Sequence, residues 1–252
     1  MEKRLQFEIL PQPDDTACGP TCLHALYAYY GHEVPLESVI RETPRLEEGG
    51  TLAVMLGCHA LRRGFQATIY SYNLQVFDPT WFAPGTQRVP GLLAGKLAAQ
   101  AAAKESPKLR TATAAYLEFL GLGGVIHMED LTTSLIRKYL KRGTPILTGL
   151  SATYLYRNAR ESGPNSDSDD VRGLPAGHFV LLRGYDPASR GVLVADPLMP
   201  NPLAPQPYYV VSVDRVICAI LLGILTYDAN LLIIELRKQS ERSRRADPDH
   251  PQ

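Results

Sequence analysis

The stretch that decides the fold is residues 12–31, QPDDTACGPTCLHALYAYYG. Apolar side chains recur every fourth residue at Cys22, Leu26 and Tyr30, which predicts a helix with one buried face. Three polar residues just before it are the candidates for its N-cap: Asp14, Asp15 and Thr16. The pattern therefore places Cys18 at or just before the amino end of a helix.

The chain changes character from its first half to its second. Amphipathic or alanine-rich patterns predict further helices at residues 35–43, 51–63, 95–105, 110–120 and 134–142. Apolar or alternating runs predict early strands at residues 5–10, 65–73 and 125–128, and later ones at 145–150, 178–185, 191–196, 208–212 and 231–236. Because helices lead and strands follow, we predict an α+β fold with N-terminal helices packed on a C-terminal antiparallel sheet.

Length and charge limit the class of protein. A chain of 252 residues can bury a core without disulfide or metal staples. Its 26 basic and 26 acidic residues balance, which argues against nucleic acid or an anionic membrane as the main partner. We expect one domain over residues 1–238, with an alanine-rich helical insertion at about 80–125, and a charged, disordered tail over residues 239–252. The oligomeric state stays open.

The first residues and the longest apolar run indicate a compartment. Residues 1–10 lack the apolar core of a signal peptide. The run at residues 216–225 is about half of what crosses a bilayer, so it is interpreted as buried core. We therefore expect a cytoplasmic protein with no membrane partner.

Four cysteines are too few and too dispersed for a disulfide scaffold, so each is expected to be a thiol. Cys22, Cys58 and Cys218 are predicted to pack in the core, with a disulfide or sulfenate-resolving role as the alternative for Cys22. Cys18, Cys22 and His24 could suggest a zinc site, but a structural zinc site needs four ligands and no matching Cys/His pair follows downstream. No metal and no cofactor are predicted.

Cys18 is the thiol whose position suits a nucleophile. The positive end of a helix stabilises a thiolate, which is the form that attacks an acyl carbon. Gln12 lies six residues upstream in a proline-flanked turn. Its side-chain amide could form an oxyanion hole with the backbone N–H of Cys18, and Gly19 would leave room there.

His178 and Asp196 could complete a catalytic set. His178 opens one predicted strand, and Asp196 ends the next, before Pro197. Two antiparallel neighbours could set Asp196 against one imidazole nitrogen while the other faces Cys18. His127 is the alternative base.

These motifs together resemble a known family. Gln12, the segment CGPTC beginning at Cys18, the segment GHFV containing His178 and the segment VADP containing Asp196 are similar to those of the papain-like double-glycine-leader peptidases, the cysteine peptidase domains of bacteriocin exporters, and their stand-alone relatives. The resemblance implies a papain-like fold with Cys18 as nucleophile, His178 as base, Asp196 as orienting acid and Gln12 as oxyanion-hole residue. Ala17 departs from the family, which usually has an acidic residue there.

These residues predict a hydrolase that cleaves a peptide or a small-molecule amide through a Cys18 thioester. An acyl or peptidyl transferase would use the same thioester with an amine acceptor, and a papain-like binding module without catalysis is the third reading. Residues 161–177 are polar and rich in Gly and Pro, and we expect them to form a substrate-covering loop. The substrate itself is not set by the sequence.

Overall fold

The structure is a computed structural model that describes residues 4–47, 49–85, 89, 91–163 and 165–237. The predicted tail, residues 239–252, lies outside the described residues.

A seven-stranded sheet forms the centre of the molecule, and its strands lie in the order β2-β1-β9-β3-β6-β7-β8. Its members are β1 (Phe65–Ser71), β2 (Val125–His127), β3 (Ile146–Ser151), β6 (Gly177–Asp186), β7 (Gly191–Ala195), β8 (Tyr208–Ser212) and β9 (Asn230–Leu236). β1 and β2 are parallel, and every other neighbouring pair is antiparallel. A separate hairpin consists of β4 (Glu161–Ser162) and β5 (Asp167–Ser168).

The described helices occur throughout the chain. They are α1 (Cys18–Tyr29), α2 (Leu36–Glu42), α3 (Ala53–Arg62), α4 (Leu92–Ala103), α5 (Pro107–Gly121), α6 (Thr133–Arg142), α7 (Ala152–Tyr156) and α8 (Val213–Leu222). Short 3-10 helices cover Pro79–Phe82 and Gly223–Thr226.

The sheet is buried on both faces because helices cover each side. Side chains of β9 alternate between two cores: Leu232 and Ile234 pack with α1, α3, α4 and α5, whereas Leu231 and Ile233 pack with α6, α7 and α8. This alternation follows from the two-residue repeat of a strand. A strand covered on both faces has apolar residues in succession, which explains the unbroken run in β9.

The predicted fold class is confirmed: the chain is α+β, with N-terminal helices packed on a largely antiparallel sheet. Two details differ. Residues 5–10 form no described strand, although Leu5 donates its backbone N–H to the carbonyl of Arg183 at 2.9 Å. The second half also contributes the unpredicted helices α7 and α8, which with the predicted α6 cover the face that the N-terminal helices leave open.

The region expected to be an insertion contains α4 and α5. α5 packs closely on the rest of the protein, because a Cβ at Gly57 of α3 would lie 2.7 Å from the ring of Phe119. Within the described residues, no helix has the length and apolar content that a membrane span requires.

Candidate active site

Cys18 is the first residue of α1 and is 8% exposed. The N-cap position belongs to Ala17, whose side chain makes no capping bond, so the predicted polar N-cap is wrong. The reason is local: Asp14 accepts hydrogen bonds from the N–H and the hydroxyl of Thr16 in a turn of its own. With no acidic side chain in its first turn, α1 keeps the positive end of its dipole for the Cys18 sulfur.

Gly19 serves packing rather than space for a substrate. A Cβ at this position would lie 2.9 Å from Thr51 and 3.2 Å from the ring of Phe179. The space beside Gly19 is therefore already filled by α3 and β6, contrary to the expectation from the sequence. The glycine lets the start of α1 lie directly on β6.

His178 and Asp196 meet where β6 begins and β7 ends. Nε2 of His178 donates to Oδ1 of Asp196 at 2.8 Å. The other imidazole nitrogen is left for Cys18, which is near enough to the ring to raise the pKa of His178. The backbone N–H of Asp196 donates to the carbonyl of Pro207 at 2.9 Å, which fixes the chain just past β7.

The charges of this pair support each other. Burial lowers the pKa of His178, but the carboxylate of Asp196 and the thiolate of Cys18 outweigh burial and hold that pKa well above its usual range. Burial raises the pKa of Asp196, yet the imidazolium of His178 and the donated hydrogen bonds lower it to about 2. An imidazolium on His178 beside an ionised Asp196 is therefore the favoured state of this pair.

Sequence reasoning missed two tyrosines of this site. The hydroxyls of Tyr156 and Tyr209 each donate to Oδ2 of Asp196 at 2.7 Å. Tyr156 ends the short helix α7, which has no periodic pattern that a sequence would reveal. Tyr209 belongs to a predicted strand, but strand alternation alone does not tell which tyrosine of β8 faces Asp196.

Gln12 lies beside the same pair. Its backbone N–H donates to the carbonyl of Pro197 at 2.9 Å, so the Gln12 turn is held against the segment that follows Asp196. Its side-chain amide donates to the carbonyl of Asp14 at 3.0 Å. The amide is thus near the site but engaged within its own turn.

A cavity of about 210 Å³ opens beside His178. Gln12 and Asp15 contribute to one side of it, and Glu161 and Ser166 of the β4–β5 hairpin also line it. The polar segment predicted as an irregular loop therefore contains a small hairpin, and that hairpin forms part of the cavity wall.

The remaining candidates lie elsewhere or are packed. His127 is on edge strand β2, four strand positions from β6 or about 19 Å, so it is too far from Cys18 to act as its base. Cys22 is buried, and its thiol donates to the carbonyl of Phe179 at 3.3 Å. Cys218 is exposed, so its predicted core position is wrong: α8 turns that residue away from the sheet.

The described residues include no group of three or more His, Cys, Asp or Glu side chains placed to hold a metal ion.

A family comparison bears on this geometry. The sequence profile of the family described as Peptidase_C39 like matches residues 97–204, which is less than half of the chain and includes His178 and Asp196. The chain resembles the C39-like peptidases. The match does not reach Gln12 or Cys18, and no curated protein matches the chain significantly.

Solved structures add the fold. A Bacillus anthracis protein described as a C39-like peptidase shares 13% identity at a TM-score of 0.51, over 95% of this chain and all of its own. Xylellain, a cysteine protease from Xylella fastidiosa, shares 17% identity with this chain at a TM-score of 0.43. The match covers 93% of this chain and 85% of Xylellain. A double-glycine-motif protease from an AMS/PCAT transporter, solved with its leader peptide, shares 15% identity with this chain at a TM-score of 0.42. The match covers 93% of this chain and 94% of that protease. The Bacillus anthracis structure shows that this chain has the same fold. The family match is what indicates a peptidase-like chain.

Proposed function

We propose that the protein is a cysteine-dependent hydrolase that cleaves a peptide or amide bond through a thioester on Cys18. The observation that carries the proposal is the hydrogen bond from Nε2 of His178 to Asp196, because it leaves Nδ1 for the thiol at the start of α1. A thiol, a base and an orienting acid in this order are the parts that covalent acyl transfer requires.

In the first step, the Cys18 thiolate attacks the carbonyl carbon of the substrate. The negative charge moves to the carbonyl oxygen, where the N–H of Cys18 and the amide of Gln12 would donate to it. The Gln12 amide would exchange its bond to the carbonyl of Asp14 for one to this oxyanion. The C–N bond then breaks, and the amine leaves with the proton of the His178 imidazolium.

In the second step, water resolves the thioester. Neutral His178 takes a proton from a water molecule, whose oxygen attacks the thioester carbon. The C–S bond breaks, the acid product leaves, and the thiolate of Cys18 and the imidazolium of His178 are restored. Asp196 stays ionised throughout and holds the ring in the orientation that both transfers need.

The first prediction tests Cys18. Cleavage of a mixed peptide-amide library, followed by mass spectrometry, should fall by about 1,000-fold or more in Cys18→Ala, because the covalent step is lost. Cys218→Ala is the matched control, since it removes an exposed thiol outside the site and should cleave as the unaltered protein does.

Products formed in isotopically labelled water, with and without added amines, identify the acceptor. Labelled oxygen in the new carboxylate supports hydrolysis, whereas transfer of the acyl group to the amine in preference to water would replace the hydrolase with a transferase. Undiminished cleavage by Cys18→Ala would refute the proposal altogether.

A further inference from the structure

Asp196 accepts two hydrogen bonds from side chains that the reaction above does not use. Its Oδ1 is occupied by Nε2 of His178 and by the backbone N–H of Leu198 at 3.0 Å. Among the described residues, its Oδ2 accepts from two side chains, the hydroxyls of Tyr156 and Tyr209, both at 2.7 Å. Two phenols from distant parts of the chain thus converge on one carboxylate oxygen.

The two tyrosines approach from different elements, and each is placed by the fold. Tyr209 of β8 lies opposite Val194 of β7, and Asp196 is two residues further along, so Tyr209 and Asp196 are diagonal neighbours on one face. Tyr156 ends α7, and its ring centre lies 6.0 Å from that of His178. Tyr156 therefore contacts both members of the pair.

In both contacts the tyrosine hydroxyl is the hydrogen-bond donor and the Asp196 carboxylate is the acceptor. Burial is the main cause that raises the pKa of Tyr156 and of Tyr209 far above the usual value, so both hydroxyls remain protonated donors wherever the site operates. A buried carboxylate oxygen without donors favours the protonated acid, because nothing replaces its lost hydration. With two donors on Oδ2, ionisation of Asp196 is favoured.

We propose that Tyr156 and Tyr209 are positioning residues that act through Asp196, keeping its carboxylate ionised so that the His178 imidazolium and the Cys18 thiolate persist to lower pH. This inference deepens the proposed function and rests on it. Neither tyrosine is required to touch the substrate or the reacting atoms.

The titratable groups that face Asp196 come from four elements. They are Cys18 and Cys22 of α1, His178 of β6, Tyr156 of α7 and Tyr209 of β8. Burial raises the pKa of the Cys22 thiol, so that group stays neutral. The ionisation of His178 and Cys18 is therefore what a change at Asp196 would alter.

The direction of the expected pH shift follows because hydrogen bonding to Asp196 is linked to its protonation. Loss of one phenol donor raises the pKa of Asp196, so its carboxylate takes up a proton at a higher pH as the solution is acidified. Once Asp196 is protonated, it no longer supports the imidazolium, which passes its proton to the Cys18 thiolate; the products are a neutral imidazole and an unreactive thiol. We expect the acid midpoint of thiol reactivity to rise by about one pH unit for each hydroxyl removed, since a hydrogen bond to a charged group is of that size.

The experiment measures alkylation of Cys18 by iodoacetamide against pH. It uses a Cys218→Ser background to remove the exposed thiol, and peptide mapping assigns the adduct to Cys18. Tyr156→Phe and Tyr209→Phe should each raise the acid midpoint, and the double variant should raise it further. Phenylalanine keeps the ring, so packing changes little.

Tyr208→Phe is the matched control. It lies next to Tyr209 on β8, and its hydroxyl donates to the carbonyl of Phe7 at 3.2 Å rather than to Asp196. This variant loses two structural hydrogen bonds of the hydroxyl, the one to Phe7 and the one accepted from the backbone N–H of Ile9 at 3.3 Å, and its acid midpoint should equal that of the background protein. An equal rise in this control would mean that general loosening, not Asp196, moves the profile.

Carbon NMR of the Asp196 carboxyl reads the same ionisation without thiol chemistry. In the unaltered chain it should titrate below the ordinary range for aspartate, and in either folded Phe variant it should titrate higher. A carboxyl with an ordinary or raised pKa in the unaltered chain, or a folded double variant with an unmoved carboxyl, overturns the inference. Absence of a reactive thiolate in the unaltered protein would instead count against the proposed function.

Discussion

Asp196 and Asp228 are two buried carboxylic acids at the same sheet that carry opposite charge states. Asp196 has no exposed surface and Asp228 is 5% exposed, so burial alone does not separate them. The pKa of Asp196 is lowered to about 2, whereas burial raises that of Asp228 to about 8. One is ionised at neutral pH, and the other is largely protonated.

The difference lies in what surrounds each carboxyl group. Asp196 accepts from an imidazolium, two phenols and a backbone N–H. Asp228 is favoured in its ionised form by the N–H of Ala53, by Asn230 and by Lys108, but these do not outweigh burial. Its Oδ1 is buried without a hydrogen-bond partner among the described residues. The number and charge of the donors, rather than depth, decide whether a buried acid is ionised here.

The largest expected effect comes from replacing each acid by its amide. Asp196→Asn should reduce peptide-amide cleavage by about 100-fold or more, because the amide cannot support an imidazolium and can set the wrong tautomer of His178. Asp228→Asn should change the rate by less than about threefold, since its carboxyl is already neutral and lies outside the site. The measurement is kcat/KM at neutral pH for both variants. Equal losses of kcat/KM in the two variants would contradict the expectation that Asp196 acts in the reaction as an ionised acid and Asp228 does not.

A second, smaller effect concerns stability against pH. Folded Asp228 keeps its proton to about pH 8, while the unfolded chain releases it near 3.8, so the unfolded state binds fewer protons between these values. The free energy of unfolding should therefore fall as pH rises across that window, by an amount on the order of a few kcal/mol. Asp196 acts in the opposite sense: its contribution is present above pH 3.8 and is lost as pH falls towards 2.

Urea unfolding of the unaltered protein and of Asp228→Asn, at about pH 5 and pH 8, separates the contribution of Asp228 to the free energy of unfolding from that of Asp196. Both proteins keep Asp196, so only the contribution of Asp228 differs between them. The unaltered protein should lose stability over this interval, and the variant should lose less. Parallel pH dependences in the two proteins would show that Asp228 is ionised in the folded state.

The sequence predicts the ionised acid and its histidine partner, but neither its tyrosine partners nor the neutral acid. Cys18, His178 and Asp196 each stand at the start or end of an element that periodicity identifies, so their approach follows once the sheet is antiparallel. The structure brings these three together. Asp228 is only a polar residue after an apolar run in the sequence. Its neutrality depends on α3, β3 and β9, whose packing no local pattern encodes.

Local rules failed where tertiary contacts override them. The N-cap of α1 is Ala17 and not a polar residue, because Asp14 and Thr16 satisfy each other. Cys218 faces solvent although it lies in an apolar run, since α8 buries only one side. Tyr156 and Tyr209 were missed for the same reason: what matters about them is a contact with a residue distant in sequence.

The smallest predicted effect tests how tightly Asp228 is enclosed. A Cβ at Gly149 of β3 would lie 2.6 Å from Cγ of Asp228, so Gly149→Ala should lower the free energy of unfolding by about 1–3 kcal/mol through overpacking. Gly95→Ala is the matched control: α4 leaves open space at that position, and alanine should stabilise the helix by about 0.5–1 kcal/mol. Urea unfolding measures both.

A double-mutant cycle with Asp228→Ala attributes the cost to that contact. The cost of Gly149→Ala should shrink in the Asp228→Ala background, since the Cγ and oxygen atoms that the new methyl group meets are gone. An undiminished cost would place the strain in β3 itself or at the Cβ of residue 228, which lies 2.7 Å from the new methyl group and which alanine retains. The lack of a described hydrogen-bond donor at Oδ1 of Asp228 would then need an explanation other than contact with β3.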